Sequence, residues 1–225
     1  LIMVTIITCI LKGKCMVHTW IMDVTPLQDD MIYRKCYNRL PDWRREKADR
    51  IRPLEGKMQS VGAWILYQQM RQYYELSDQM PYNLSHSGKY ALCSVSTQPG
   101  AQVGCDVEMI KENKLRLAER YFCPGEVAWI QSQKNETEQA EGFYRYWVLK
   151  ESFIKAIRLG MKQDLREFEI ALDERGARLV RQPEAVPGTY YYQEYQTDAG
   201  DARIAVCSTE KKFGELHYLD ERNII

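Results

Sequence analysis

The hydrophobic pattern changes period repeatedly along the chain, and each change marks an element. Val17–Val24 is apolar and partly β-branched, and reads as a strand closed by Pro26. Gln28–Asn38 has helical spacing, and Pro41-Asp42 opens a second helix, with Asp42 suited to capping. Between Gln59 and Glu75 the apolar positions Val61, Trp64, Ile65, Met70 and Tyr73 predict a long amphipathic helix. Ser85-His86-Ser87-Gly88 suits a tight turn with hydrogen-bonding side chains, leading into an apolar strand at Tyr90–Val95. Gln98-Pro99-Gly100 turns the chain into a further strand, Val103–Glu108.

The same kind of succession then recurs. Lys114–Phe122 and Glu126–Gln133 read as helices separated by Pro124-Gly125, residues 134–141 as a polar loop, and Gly142–Arg158 as a long helix stopped by Gly160. Phe168–Leu172 alternates, Asp173–Gly176 turns, and Thr189–Gln196 with Ala202–Ser208 makes a hairpin. Helices followed by strands therefore occur twice. The expected fold class is α+β, in two lobes at residues 16–105 and 106–210, followed by a loosely held polar tail at 211–225.

Composition narrows the picture mainly by exclusion. The chain is 45% hydrophobic and 28% charged, an ordinary globular balance, with 31 basic and 31 acidic residues. A net charge of zero gives no bulk attraction to nucleic acid or to an anionic membrane, so an anion site must be built by local placement. The segment Trp43–Arg52 offers such placement in Arg44, Arg45, Lys47, Arg50 and Arg52, either as a solvated face or as a patch for phosphate. The seven cysteines are scattered without a C-x-x-C pair, which fits reduced core thiols in a cytoplasmic protein rather than a disulfide framework or a zinc site. Residues 1–11 are almost wholly apolar, yet too few to span a bilayer, and Lys12 and Lys14 follow the run where a signal peptide would carry its charge first. Residues 1–15 are expected to be an extension upstream of a domain that begins at Met16.

Candidate chemistry sits on one strand and one helix. In a strand, Asp106 and Glu108 leave the same face while Val103, Cys105 and Val107 enter the core. In a helix, Trp147, Glu151 and Lys155 fall at i, i+4 and i+8 on one stripe. Alone, Glu151 and Lys155 would be a surface pair worth a few tenths of a kcal/mol. Two like charges on a mostly apolar strand call for a cation, however. Three carboxylates with no His or Cys favour Mg²⁺, or Mn²⁺, with positions left for water and a substrate phosphate, and Lys155 reaches that phosphate as a point charge. There is no Walker loop, no G-x-G-x-x-G and no G-x-S-x-G. A Mg²⁺-dependent phosphohydrolase and a non-catalytic binding module remain open beside phosphoryl-group transfer.

Val103-Gly104-Cys105-Asp106-Val107-Glu108 and Trp147-x-x-Lys150-Glu151-Ser152-x-x-Lys155 resemble the two signatures of the 4′-phosphopantetheinyl transferases. With Tyr82-Asn83-Leu84-Ser85-His86-Ser87 and the two-lobe length, the resemblance is to the Sfp-type branch and covers Val17 to Ser208. It implies a pseudo-dimer of similar lobes in one monomeric chain, with coenzyme A between them as co-substrate. Phosphopantetheine would pass to a serine of an apo acyl or peptidyl carrier protein in fatty acid, polyketide or nonribosomal peptide synthesis, and 3′,5′-ADP would leave. Asp106, Glu108 and Glu151 would bind the metal, with Glu151 also a candidate general base and Lys155 stabilising charge on the phosphates. Arg44, Lys47 and His86 would hold the 3′-phosphate, Ser85 would line the adenine side, Lys150 would help fix the site, and Lys57 would replace an arginine that usually precedes the long first-lobe helix. Carrier docking would use the region around Leu115–Phe122. The chain departs from the branch at Glu75–Pro81, where a longer segment with Gly-Lys-Pro is usual.

Overall fold

A computed structural model describes residues 16–112, 114–160, 164–220 and 224. Residues 1–15, with the expected extension, Cys9 and Cys15, lie outside the described residues. The first lobe runs β1 (Val17–Asp23), α1 (Asp30–Asn38), α2 (Asp42–Asp49), α3 (Leu54–Tyr73), β2 (Tyr82–Ser87) and β3 (Tyr90–Ser96). The second runs β4 (Val103–Met109), α4 (Leu115–Tyr121), α5 (Pro124–Gln131), α6 (Glu136–Ile157), the hairpin β5 (Glu169–Asp173) and β6 (Gly176–Arg181), then β7 (Tyr191–Gln196) and β8 (Ala202–Ser208). β9 (Phe213–Tyr218) ends the succession.

Strand order makes the two lobes copies of one plan. In the first, β1 pairs antiparallel with β3, which pairs antiparallel with β2. In the second, β4 pairs antiparallel with β8, which pairs antiparallel with β7. Each lobe thus places its first strand beside its last and carries one long helix between them, a pseudo-dimeric α+β arrangement.

Each lobe has its own core, and a third core joins them. α3 buries Val61, Ile65, Leu66 and Met70 against Trp20, Ala91 and Cys93. α6 buries Phe143, Leu149 and Phe153 with Phe122, Phe168 and Cys207. Val17, Ile21 and Leu92 of the first sheet meet Val103, Cys105, Val107, Ile204 and Val206 of the second. Burying this shared apolar layer, at roughly 25 cal/mol per Å², is what holds lobe to lobe. Cys36, Cys93, Cys105, Cys123 and Cys207 are free, buried thiols.

Several expectations change. Ser85–Ser87 belongs to a strand, Tyr82–Ser87, and of the expected turn only Gly88, at φ 52°, is a turn. α3 begins at Leu54, five residues earlier than its apolar face suggested, because Leu54 and Glu55 at its start are exposed and add nothing to that face. The polar stretch 134–141 is largely helix: the Asn135 side chain accepts from the Glu138 amide at 2.9 Å and caps α6. A boundary between residues 105 and 106 would cut β4, so the lobes divide before Val103. The tail is not loosely held: β9 pairs in parallel with β1 and extends the first-lobe sheet, and Ile224 is buried in the first-lobe core.

Candidate active site

Gly104 fixes how closely α6 lies on β4. A Cβ at that position would stand 2.1 Å from the Ser152 carbonyl oxygen and 2.3 Å from the Ala156 nitrogen. Backbone against backbone, this contact lets the Trp147, Glu151 and Lys155 stripe face Asp106 and Glu108. With Leu84, Ser85 and His86 of β2, these residues line a cleft of about 410 Å³ at the lobe boundary. A larger hollow of about 490 Å³ lies between α1 and the starts of α3, but it carries none of the carboxylates of the signatures.

The cleft is electrostatically tight. The Lys155 ammonium donates to Asp106 Oδ1 at 2.6 Å and to Ser85 Oγ at 3.0 Å. Ser85 in turn donates to Asp106 Oδ1 at 2.8 Å, and Ser87 donates to Glu108 Oε2 at 2.7 Å. Asp106 Oδ2 is buried and has no hydrogen-bond partner. Burial, and then the neighbouring carboxylates, push the Glu151 carboxyl above its ordinary range. Glu108 is also raised by burial, against the opposing bond from Ser87. Burial works against the Lys155 ammonium, but Asp106, Cys105 and Glu151 outweigh it and raise its pKa.

The donor set fits a hard divalent cation: three carboxylates on one cleft, one with an orphaned buried oxygen, and too much negative charge for Lys155 alone. As they stand, no three His, Cys, Asp or Glu side chains among the described residues are already grouped around a metal position. Carboxylate rotation would have to complete the set.

The expected phosphate ligands separate into two groups. His86 stands at the cleft, exposed, and its pKa is lowered by desolvation and then by Lys155 and Lys47. Lys47 is therefore near the same rim, its own pKa lowered by desolvation and by Arg44. Arg44 is only 5% exposed: it donates to the Ser60 carbonyl at 2.9 Å and lies over the Trp43 and Trp64 rings, while its Nε has no partner.

Lys57 is elsewhere, on the larger hollow with Asp30 and Tyr37. Lys150 does not reach the cleft either. It is 0% exposed and pairs with buried Glu126 at 2.8 Å, because residues adjacent in a helix point about 100° apart. Trp147 lines the cleft while also stacking on Phe143. Ser87 was missed, although the i, i+2 spacing of Asn83, Ser85 and Ser87 would reveal it in a strand reading.

Fold and site together define a two-lobed α+β protein with an acidic, phosphate-compatible cleft between its lobes. The family model of the 4′-phosphopantetheinyl transferase superfamily matches residues 102–207, the segment that carries Asp106, Glu108, Glu151 and Lys155. Among curated relatives, the chain is 33% identical over 134 residues to 4′-phosphopantetheinyl transferase Sfp of Bacillus subtilis, covering 60% of this chain and 57% of that protein. It is 35% identical over 113 residues to 4′-phosphopantetheinyl transferase gsp of Aneurinibacillus migulanus, covering 50% and 46%. The chain thus spans about half the length of the curated relatives it matches. A crystal structure of a holo-(acyl-carrier-protein) synthase from Bacillus anthracis in complex with CoA (3′,5′-ADP) aligns with a TM-score of 0.40 at 18% identity, over 49% of this chain and 96% of that one. No helix among the described residues is long and apolar enough to cross a membrane.

Proposed function

We propose that the protein moves 4′-phosphopantetheine from coenzyme A to a serine hydroxyl of an acyl or peptidyl carrier protein and releases 3′,5′-ADP, working as a monomer in the cytoplasm. The observation that carries this reading is the convergence of Asp106, Glu108, Glu151 and Lys155 on one cleft inside the superfamily segment. In this reading the pyrophosphate of coenzyme A lies beside Lys155. Its 3′-phosphate points to Lys47 and His86, with Arg44 on the same helix as Lys47, and Ser85 lines the adenine side. Asp106, Glu108 and Glu151 would hold Mg²⁺, or Mn²⁺, which when bound neutralises pyrophosphate charge.

The protein's own groups do the rest. Glu151, whose carboxyl is raised toward neutrality by burial, takes the proton of the incoming serine hydroxyl. The serine oxygen bonds to the β-phosphorus, the bond from that phosphorus to the bridging oxygen breaks, and the electron pair leaves with 3′,5′-ADP. Lys155 holds the phosphates in place and offsets the charge gathering on the leaving oxygen.

The test is intact mass of a panel of apo carrier proteins after incubation with this protein, coenzyme A and Mg²⁺. A gain of one phosphopantetheine supports the reading, provided Glu151→Gln and Asp106→Ala lose it with unchanged circular dichroism. Free phosphate without carrier modification would make the protein a phosphohydrolase instead. No modification, together with no heat on titrating coenzyme A and Mg²⁺, would make it a non-catalytic module.

A further inference from the structure

Two of the three acids of the cleft, Asp106 and Glu108, sit on an edge strand. β4 is hydrogen-bonded to β8 on one side only, and β2 is the outer strand of the first-lobe sheet. These two edges face each other across the lobe boundary without forming a backbone ladder. Side chains of β2 satisfy the exposed amides of β4 instead. Asn83 Oδ1 accepts from the Cys105 amide at 3.0 Å, Ser85 Oγ from the Val107 amide at 3.4 Å, and Ser87 Oγ from the Met109 amide at 3.3 Å. Each acceptor lies 22 residues before its donor, so the three bonds share one register. The alternate amides of Gly104, Asp106 and Glu108 face β8.

The two hydroxyls then spend their hydrogens one residue back along β4: Ser85 on Asp106 at 2.8 Å and Ser87 on Glu108 at 2.7 Å. Each serine therefore holds the strand by an amide and aims the carboxylate beside it. A backbone ladder could do only the first of these, because a carbonyl cannot donate. A neighbouring strand would also leave Glu108 without the Ser87 hydroxyl and Asp106 with Lys155 as its only donor.

We propose that Asn83, Ser85 and Ser87 form a side-chain zipper that sets the register of the acidic strand against the first lobe, with Ser85 and Ser87 as positioning residues for the Asp106 and Glu108 carboxylates. What those carboxylates then bind rests on the function proposed above; the zipper does not. Ser87 is the clean probe. It is not among the cleft-lining residues and acts on the cleft through Glu108, whereas Ser85 also touches Lys155.

The experiment uses the full chain and follows amide exchange by NMR, with Mn²⁺ affinity measured separately by electron paramagnetic resonance. In Ser87→Ala, exchange at Met109 is expected to quicken about tenfold while Gly104, Asp106 and Glu108 keep their protection. Mn²⁺ binding is expected to weaken about tenfold or more, as when an outer partner of a ligand is lost. Ser87→Thr keeps the hydroxyl and should restore both. Unchanged exchange at Met109 in Ser87→Ala, or a threonine variant as impaired as the alanine one, overturns the proposal. Asn83→Ala, read at Cys105, gives the same decision if Ser87→Ala does not fold. A wild-type protein that binds no Mn²⁺ would overturn the metal reading alone, and the exchange data would still decide the zipper.

Discussion

Replacing Lys150 with Met should cost stability on a scale that only a buried ion pair explains. The ammonium is 0% exposed and donates to Glu126 Oε1 at 2.8 Å, to the Leu165 carbonyl at 2.8 Å and to the Phe168 carbonyl at 2.9 Å. Glu126 is 1% exposed and also accepts from the Cys123 amide at 2.8 Å and the Ile170 amide at 2.9 Å. Burial drives both partners toward neutrality, Lys150 down and Glu126 up, and each holds the other against that drift. Methionine fills the space but leaves a carboxylate unpaired, the Leu165 carbonyl without its lysine donor and the Phe168 carbonyl with the Cys123 thiol in place of an ammonium. Breaking one side of such a pair costs about 3–5 kcal/mol, or roughly 6–20 °C in Tm for a chain of this size. Urea unfolding followed by circular dichroism measures it. Combined with Glu126→Gln, the loss should fall short of the sum of the single losses by about 2 kcal/mol, because the unpaired charge is then gone. A Lys150→Met protein within about 1 kcal/mol of wild type, with a raised KM for coenzyme A, would refute this and return Lys150 to the substrate.

Three further outcomes follow from the geometry. Gly104→Ala drives a methyl into the Ser152 and Ala156 backbone, so it should cost about 1–3 kcal/mol in urea unfolding and abolish carrier modification by lifting Glu151 off the cleft. His18, stacked on Tyr74 with ring centroids 4.0 Å apart, has its pKa lowered by burial to about 4. The unfolded chain therefore binds the extra proton between about pH 6.5 and 4, so stability is full above that window and is lost as pH falls through it. Discounted for the ring's partial exposure, the loss is about 1–2 kcal/mol, and urea titrations at pH 7 and pH 4.5 should show it shrinking in His18→Gln. Lys155→Met removes the cation from Asp106 Oδ1, so Mn²⁺ should raise the Tm of the variant more than that of wild type; an equal or smaller rise would contradict the donor set described for the cleft.

The parts of the site with a local period were legible. Asp106 and Glu108 alternate with Val103, Cys105 and Val107, and Trp147, Glu151 and Lys155 follow the helical stripe, so each trio could be placed on a face before any contact was known. Lys150 was not, because its partner Glu126 lies on another helix and no spacing links them; the family resemblance alone gave it a part in fixing the site. β2 was hidden for a similar reason. The polar side chains of Asn83, Ser85 and Ser87 face another strand's amides instead of water, so Ser85 and Ser87 looked like turn chemistry. β9 pairs with the opposite end of the chain, and Glu136–Glu141 is helical by virtue of its Asn135 cap and its continuation into α6, not through any apolar face of its own.

Asp106 explains why the cleft carries a lysine and still suits a metal. Its Oδ1 is taken by Lys155 and Ser85, while Oδ2 is buried with nothing to accept from. A buried orphan of this kind costs about 1–3 kcal/mol, and more when charged. Lys155 cannot relieve it, being held on the other oxygen by Ser85 as well as by Asp106 itself. A cation meeting Oδ2 would therefore complete the carboxylate without displacing the lysine. Ammonium and metal are complementary here, one on each side of a single acid, and the serines of β2 keep the two sides distinct. The first lobe, which contributes no carboxylate to the cleft, thus has a direct part in preparing it.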